Sequence, residues 1–312
     1  MTWIALCSAK GSPGVTTLAC ALGAVWPGSD RVVVAECDPG GGDIAGRFGL
    51  SARTGMTSFV MAARHAAQRS ATPPALTEHL QILHGGLGVL VGPPGADAAS
   101  ALDHELNAAI SFMDSNIDLV LDCGRLQAGS AGQQAIISMA QRVLILVRPE
   151  PADIAHVRAF MDRLKRRVPE LDAASRREPV ASADPPVDLV LCGTGTVTPQ
   201  EASGALGLPV LGVVPDDPAG AKVMSGRPAP RRSARNSPLV RSASNLLEGL
   251  QLSRDLEHLH NEGSEDEYGN QVHGIVSNIA LTDVALPGVG PLSGIGPRSE
   301  VEKLNPVVSL GA

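Results

Sequence analysis

The stretch SAKGSPGVTTLA, residues 8–19, joins a short apolar segment to a helical pattern and has two glycines in its turn. The apolar segment before it, TWIALCS at residues 2–8, is typical of a buried strand. Gly11 and Gly14 allow backbone N–H groups to converge on one point, and the helix that follows adds the positive end of its dipole. The stretch therefore predicts a phosphate-binding loop between a strand and a helix.

Segments rich in Val, Leu and Ile recur along the chain, and each is apolar throughout rather than alternating. This pattern is typical of strands buried on both faces of a parallel sheet. The segments lie at residues 2–8, 31–37, 87–92, 118–124, 142–149, 187–193 and 209–215.

Helical patterns separate these segments. Leu18, Leu22 and Val25 share one face in the first of them, and Thr198 begins a capping box with Glu201 in a later one. Further helices are predicted over residues 100–115, from Pro151 onward, and over 239–259. The alternation predicts an α/β fold with a doubly wound, mostly parallel sheet of seven to eight strands flanked by helices. Its ligand site is expected at the carboxyl ends of the strands.

Composition narrows the class of protein. Of 312 residues, 44% are hydrophobic but only 2% are aromatic, so aliphatic side chains must fill the core. A formal net charge of −7 argues against a protein that coats nucleic acid over its whole surface. No stretch reaches the roughly 20 apolar residues of a membrane span, and the N-terminus lacks the pattern of a secretory signal. We therefore expect a cytoplasmic protein without a transmembrane segment.

The five cysteines show no C-x-x-C spacing. We expect reduced thiols that pack as small apolar residues, and a metal or redox cluster at the sheet edge is the less favoured alternative. They are Cys7, Cys20, Cys37, Cys123 and Cys192.

Residues 10–17, KGSPGVTT, resemble the deviant Walker A motif K-G-G-x-G-K-T-T of the MinD/ParA family of P-loop ATPases. The resemblance extends over roughly residues 1–250 and implies that the chain binds ATP or ADP with Mg²⁺. It makes Lys10 the family's signature lysine, which reaches across a homodimer interface to the partner's nucleotide. It also makes Thr16 the Mg²⁺ ligand and Thr17 a phosphate contact. The remaining nucleotide-binding positions of the loop are Gly11, Ser12, Pro13, Gly14 and Val15.

Two acidic strand ends extend the resemblance. ECDPGGGD, residues 36–43, is similar to the D-x-D-P switch I segment, where Asp38 would orient the attacking water as a catalytic residue beside Lys10. Asp122 resembles the Walker B aspartate, and Gly124 the switch II glycine that follows it. The implied metal site thus consists of Thr16, Asp38 and Asp122.

A further match concerns the base. VVPDD, residues 213–217, is similar to the loop that borders the adenine in the family, which assigns Pro215 and Asp216 to nucleotide binding.

Three positions depart from the family pattern. Val15 replaces the lysine that bridges the β- and γ-phosphates, Glu36 replaces the first aspartate of switch I, and Cys192 stands in place of an adenine-contacting asparagine. A charge-assisted hydrogen bond contributes roughly 1.5 to 3 kcal/mol, so the loss of the lysine should weaken nucleotide binding about 10- to 150-fold. Hydrolysis should suffer more, because cations aimed at the transferring phosphoryl group contribute about 10³- to 10⁵-fold in rate.

The resemblance implies a nucleotide-responsive dimer that positions or assembles a cellular machine, with weak or absent ATP hydrolysis. Within the family, the degenerate loop and GLGVLVGPPGAD, residues 86–97, resemble the TadZ/CpaE type that localises pilus or secretion machinery, related to septum-site and chromosome-partitioning proteins. Such a protein would be recruited to the inner membrane face or the cell pole. Two alternatives remain open: an active ParA-like partition ATPase that binds DNA nonspecifically, and a nucleotide-independent scaffold with a vestigial P-loop.

Residues 222–241 form a local basic patch without an acidic residue. It offers contacts to DNA phosphates through Arg231, Arg232 and Arg235 or to anionic lipids, and a solvated basic loop is the equally weighted alternative. The other cations of the patch are Lys222, Arg227 and Arg241.

Domain organisation follows from composition. We predict a P-loop domain over residues 1–260, with a flexible loop at about 169–186. Residues 261–312 are first acidic and then rich in Gly and Pro, which predicts a mostly disordered tail.

Overall fold

A computed structural model describes most of the N-terminal part of the chain, and side chains are described as far as residue 251. The predicted loop at 169–186 lies outside the described residues except for Pro186, and so does the predicted tail at 261–312 except for its first two residues. The described residues are 2–10, 13–27, 32–69, 72, 74–113, 116–127, 129–161, 186–227 and 237–262.

The chain divides into two units, Met1–Leu256 and Glu257–Ala312. All described strands lie in the first unit. The described residues of the second unit are the end of the last helix.

Eight strands form one sheet within the described residues. They are β1 (Trp3–Ser8), β2 (Val32–Glu36), β3 (Gln81–Ile82), β4 (Gly88–Leu90), β5 (Asp118–Arg125), β6 (Arg142–Val147), β7 (Val187–Cys192) and β8 (Val210–Val214). Their order across the sheet is β3-β4-β2-β5-β1-β6-β7-β8, and every neighbouring pair is parallel except β3 and β4. The predicted doubly wound, mostly parallel sheet is confirmed.

The helices follow the strands in alternation. They are α1 (Val15–Val25), α2 (Ile44–Phe48), α3 (Met56–Arg69), α4 (Ala96–Ala109), α5 (Ala131–Met139), α6 (151–161), α7 (Pro199–Leu206), α8 (Pro218–Val223) and α9 (Pro238–Glu262). Short 3-10 turns occupy Leu76–His79 and Ile110–Phe112. The predicted capping box is present, since Thr198 and Glu201 exchange side-chain to backbone hydrogen bonds.

Two apolar clusters cover the two faces of the sheet. On β1, Ala5 and Cys7 belong to one cluster, whereas Ile4 and Leu6 belong to the other. Helices α3 to α7 contribute buried residues to the first cluster, and α1, α2 and α9 contribute to the second. Burial on both faces explains why the strand segments are apolar throughout.

The sequence patterns did not locate helices α2, α3, α5 and α8, and β3 and α4 also differ from the prediction. The edge strand β3 has only two residues, too few to produce a periodic pattern. Helix α4 begins at Ala96 rather than near residue 100, because its first turn is formed by small and polar residues that carry no apolar signal. Its predicted end tightens into the 3-10 turn at Ile110–Phe112.

All five cysteines are buried free thiols, which confirms their interpretation as small core residues. Burial raises the pKa of the Cys7 and Cys20 thiols to about 12, so both are protonated near neutral pH. None of the described helices combines the length and the apolar character needed to cross a membrane.

Candidate nucleotide-binding site

The predicted phosphate loop connects β1, a central strand, to α1. Gly14 stands before the helix in the left-handed conformation, with φ 99° and ψ 32°, and α1 begins at Val15. Gly14 has no side chain to cap this helix, and no described side chain accepts a hydrogen bond from the N–H groups of its first turn. The backbone N–H groups of its first turn are therefore free for an oxygen ligand. Gly11 and Ser12 lie outside the described residues.

Val15 faces the core rather than the loop. Its side chain is 6% exposed and belongs to the same apolar cluster as Leu18 and Leu6. The position that carries a phosphate-binding ammonium in P-loops thus contributes here to packing between α1 and the sheet.

Lys10 supplies a positive charge within the phosphate loop. Its side chain is 43% exposed, and its Nζ lies 4.0 Å from Oδ1 of Asp153 on α6. This distance makes a weak, solvent-screened ion pair that a ligand can replace.

Asp122 lies at the carboxyl end of β5 and is fully buried. Its Oδ1 accepts a hydrogen bond of 3.1 Å from the N–H of Gly124, whereas Oδ2 has no partner among the described residues. Burial raises the pKa of Asp122 to about 7, the Glu36 and Asp38 carboxylates add to the rise, and the Thr16 hydroxyl beside it opposes the rise. A buried carboxylate oxygen without a partner favours a cation at this point.

Asp38, from the predicted switch I segment, reaches the same edge of the sheet. Its Oδ1 accepts a hydrogen bond of 2.7 Å from the N–H of Gly40. Gly124 adopts φ +55°, and a Cβ at this position would overlap the carboxylate of Asp38. The structure thus brings Asp38, Asp122 and Gly124 together, as the resemblance implies.

Glu36, at the first acidic position of the switch I segment, is held by backbone donors. Its carboxylate accepts three backbone hydrogen bonds, from Asp43 at 2.7 Å, Ile44 at 2.8 Å and Gly92 at 2.9 Å. It therefore ties the start of α2 to the chain that leaves β4. Burial raises the pKa of Glu36, and the three N–H donors oppose that rise. A longer acidic side chain at the end of a buried strand was visible in the sequence, but its partners were not.

The glycine run at residues 40–42 packs directly against the Gly-Pro-Pro-Gly turn at residues 92–95. The N–H of Gly42 donates to the carbonyl of Pro93 at 2.8 Å. A Cβ on Gly42 would lie 2.6 Å from Oε2 of Glu36 and 2.9 Å from Cα of Gly92. Because only glycine allows this approach, the two segments form one interlocked wall beside the site.

A cleft of about 490 Å³ runs from the phosphate loop to the end of β8. The structure brings five of the predicted nucleotide-binding residues together along it. They are Pro13, Gly14, Thr17, Pro215 and Asp216.

Cys192 also lines the cleft, where the family pattern has an asparagine. Arg148 lines it too and was missed in the sequence. Its position directly after a buried parallel strand is a signal that could have identified it, because the carboxyl ends of such strands form the ligand edge.

Arg47 on α2 is a second residue that sequence reasoning missed. Its Nη1 donates to Oγ1 of Thr17 at 3.3 Å, and its Nη2 pairs with Oδ2 of Asp43 at 3.0 Å. A cation in a short helix after a glycine run has no distinguishing local pattern, so only the fold shows its proximity to α1.

The described residues contain no group of three or more His, Cys, Asp or Glu side chains with the arrangement of a metal site. A Mg²⁺ held by Asp122 and Thr16 would consequently need phosphate oxygens among its ligands. Of the basic patch, Arg231, Arg232 and Arg235 lie outside the described residues, so their contact with DNA stays a prediction.

Comparison with solved structures shows a shared fold. The ParA family ATPase from Chlorobium tepidum TLS aligns with a TM-score of 0.57 and 15% identity over 80% of this chain and 98% of that chain. The septum site-determining protein MinD of Pyrococcus horikoshii OT3, complexed with Mg-ADP, aligns with a TM-score of 0.58 and 17% identity. The alignment covers 80% of this chain and 95% of that chain. An ATP complex of a Cyanothece McdA variant aligns with a TM-score of 0.56 and 14% identity. The alignment covers 80% of this chain and 96% of that chain.

No family model and no curated protein sequence matches the chain. The structural matches span nearly the whole length of the proteins compared. The chain therefore has the MinD/ParA-like P-loop ATPase fold, and at these identities the likeness concerns the fold alone.

Proposed function

We propose that this chain, on its MinD/ParA-like P-loop fold, binds ATP or ADP with Mg²⁺ and acts as a nucleotide-responsive homodimer that positions or assembles a cellular machine. Its ATP hydrolysis is weak or absent. The Mg-ADP and ATP complexes of the MinD and McdA structures support the choice of ligand.

The fit of a nucleotide rests on three features of the site. The uncapped first turn of α1 offers N–H donors, and the cleft from Gly14 to Asp216 offers room for a nucleoside. The partnerless oxygen of Asp122, beside Thr16, suits a divalent cation. Bound Mg²⁺ would neutralise phosphate charge at this point.

The burial of Val15 carries the proposal of weak hydrolysis. Main-chain N–H groups and a metal ion bind phosphates in the ground state. The P-loop ammonium adds charge where it develops on the transferring phosphoryl group. Because Val15 packs into the core, the loop retains the binding donors and lacks this cation.

Lys10 supports the dimer. It is half exposed at the rim of the site, and its 4.0 Å ion pair with Asp153 is weak enough to be exchanged for a phosphate of a nucleotide held by a second copy. Sedimentation velocity with and without ATP-Mg²⁺ tests this step. We expect a nucleotide-dependent dimer that Lys10→Ala abolishes, and a monomer under both conditions would contradict it.

The substitution Val15→Lys, which restores the missing cation, tests the site. We expect wild-type protein to bind ATP-Mg²⁺ in calorimetry and to release phosphate slowly. We expect Val15→Lys to bind about 10-fold or more tightly and to release phosphate faster, because the long side chain can extend its ammonium from the core into the loop.

Ile82→Lys provides the matched control. Ile82 is 62% exposed on the edge strand β3, so this variant adds the same charge away from the loop and should leave binding and turnover unchanged. Rapid wild-type turnover that Val15→Lys does not alter would overturn the proposal of weak hydrolysis. Absence of nucleotide binding by the wild type, with no protection of residues 9–17 from hydrogen exchange, would favour the nucleotide-independent scaffold.

A further inference from the structure

A second cavity, of about 620 Å³, adjoins the nucleotide cleft. Pro218 and Ala221 on α8 line both the cleft and this second cavity. Three cations and one acid line the second cavity, namely Arg47, Lys222, Arg227 and Asp43. We refer to it as the basic cavity.

Arg47 is held at the boundary between the two spaces. Its guanidinium donates to the hydroxyl of Thr17, a residue of the cleft, and pairs with Asp43 of the basic cavity. Its side chain is 26% exposed, so its position is restrained by packing as well as by these two partners. A guanidinium with donors still available at a fixed place is suited to a phosphate oxygen.

Lys222 and Arg227 bring positive charge without a counter-charge. Neither forms an ion pair with any other residue that the structure describes, and the one acid of the basic cavity is already paired with Arg47. Like charges that converge around a concave space create a positive potential, and an anion in that space relieves their repulsion.

The position of the basic cavity indicates which part of a ligand would reach it. In the proposed nucleotide site, the phosphate end of the cleft is at Gly14 and the base end is at Pro215 and Asp216. The basic cavity borders the cleft through Arg47, which contacts Thr17 close to Gly14, and through Pro218 and Ala221, which follow Pro215 and Asp216 in sequence. A nucleotide that lies along the cleft would place its ribose beside this border.

We propose that the basic cavity is a second phosphate subsite and that the ligand is a nucleotide with a phosphate group on its ribose in addition to its 5′ phosphate. This inference rests on the proposed nucleotide site, since the ribose is located by the cleft. The 5′ phosphate contacts the N–H groups of α1, and the ribose phosphate contacts Arg47, Lys222 and Arg227.

The test compares matched pairs of nucleotides in calorimetry at fixed salt. The probes are adenosine 5′-monophosphate, adenosine 3′,5′-bisphosphate and adenosine 2′,5′-bisphosphate, with the guanosine series run in parallel. We expect at least one bisphosphate to bind the wild type about 10-fold or more tightly than the monophosphate, because it gains charge-assisted hydrogen bonds. The two isomers show whether the 2′ or the 3′ oxygen faces the basic cavity.

Two variants assign the effect to this cavity. In the double variant Lys222→Gln/Arg227→Gln, we expect the affinity ratio of bisphosphate to monophosphate to fall several-fold towards 1, since Arg47 is the only one of the three cations left. Arg53→Gln removes an exposed cation that is not among the lining residues of either space, and it should retain the wild-type ratio.

The possible failures are distinguishable. Equal affinity of the wild type for monophosphates and bisphosphates would overturn the second subsite and leave the proposed function standing. A wild type that binds neither these probes nor ATP or GTP would overturn both. If the double variant keeps the preference but loses retardation of DNA, the two cations belong to a DNA contact and the subsite is wrong.

Discussion

Glu36 and Asp122 face each other across β2 and β5 in register, and they are equally buried. They differ in their partners. Glu36 accepts three backbone hydrogen bonds, whereas Asp122 accepts one backbone hydrogen bond, from Gly124, and its Oδ2 has no partner among the described residues. Two carboxylates at adjacent strand ends therefore have distinct roles: Glu36 holds the fold together, and Asp122 remains available to a ligand.

The comparison of Glu36 with Asp122 also distinguishes a carboxylate that stabilises the fold from one that can bind a cation. Desolvation raises the pKa of both groups, but the N–H donors to Glu36 offset part of its cost within the folded chain. Asp122 keeps a pKa of about 7 although the Thr16 hydroxyl and the Gly124 N–H oppose the rise, so a bound cation would offset the cost of burial that remains. The following four changes test this difference.

The largest effect is expected from Glu36→Ala. The change leaves two buried backbone N–H groups and one partly buried one without an acceptor, and we expect a loss of roughly 3 to 5 kcal/mol in the free energy of unfolding. Urea denaturation followed by circular dichroism measures it. Glu78→Ala, at an exposed position, should change stability by less than about 0.5 kcal/mol. Similar losses for both variants would contradict a structural role of Glu36.

The second-largest effect is expected from Asp122→Asn, as a change in how stability depends on pH. The folded pKa of Asp122, about 7, lies above the usual value of 3.8 for an aspartate, so the stability linked to its protonation is present below pH 3.8 and is lost as pH rises through 7. At pH 8 without ligand we expect the asparagine variant to be more stable than the wild type by a few kcal/mol. Urea midpoints between pH 5 and 8 measure the difference. An equally steep decline in both proteins would refute the assignment to Asp122.

A smaller loss is expected from Gly42→Ala. Its Cβ would lie 2.6 Å from Oε2 of Glu36 and 2.9 Å from Cα of Gly92, so the two segments must separate, at about 1 to 3 kcal/mol. Gly46→Ala is the matched control, because nothing lies within 4 Å of a Cβ there and alanine favours helix α2. Thermal unfolding of the two variants should shift in opposite directions, and a common shift would argue against the interlocked wall.

Thr16→Val should have the smallest effect. The Thr16 hydroxyl lowers the pKa of Asp122, so its removal should move the pH range of stability loss upward. At neutral pH we expect a change below about 1 kcal/mol. Thr57→Val on α3 is the control and should leave the midpoint of that range in place. A downward shift in Thr16→Val would show that the hydroxyl does not favour the ionised carboxylate.

Local patterns in the sequence allowed most of the sheet to be predicted. Apolar runs bounded by Gly, Pro or Asp located seven strands, and the Thr198 capping box located the start of α7. The same patterns failed for β3, whose two residues carry no period, and for the first turn of α4, which lacks large apolar residues. Short or small-residue elements are specified by their neighbours in space.

The candidate site divides in the same way. The cleft brought together Pro13, Gly14, Thr17, Pro215 and Asp216, all of which the resemblance had assigned to the nucleotide. Arg47 and the partners of Glu36 were not predicted, because their roles come from segments that are distant in sequence. Arg148 was also missed, although its position directly after β6 was a local signal.

By itself, the sequence determined an alternating α/β chain with a phosphate loop after its first strand and acidic residues at the ends of later strands. Periodicity and glycine placement are local properties, so they can be identified in the sequence without knowing which residues are in contact. The tertiary structure alone decided that Val15 faces the core, that Glu36 is saturated by backbone donors, and that three cations line a cavity beside the cleft. The reason is that side-chain direction, desolvation and the convergence of charge depend on which remote segments pack together.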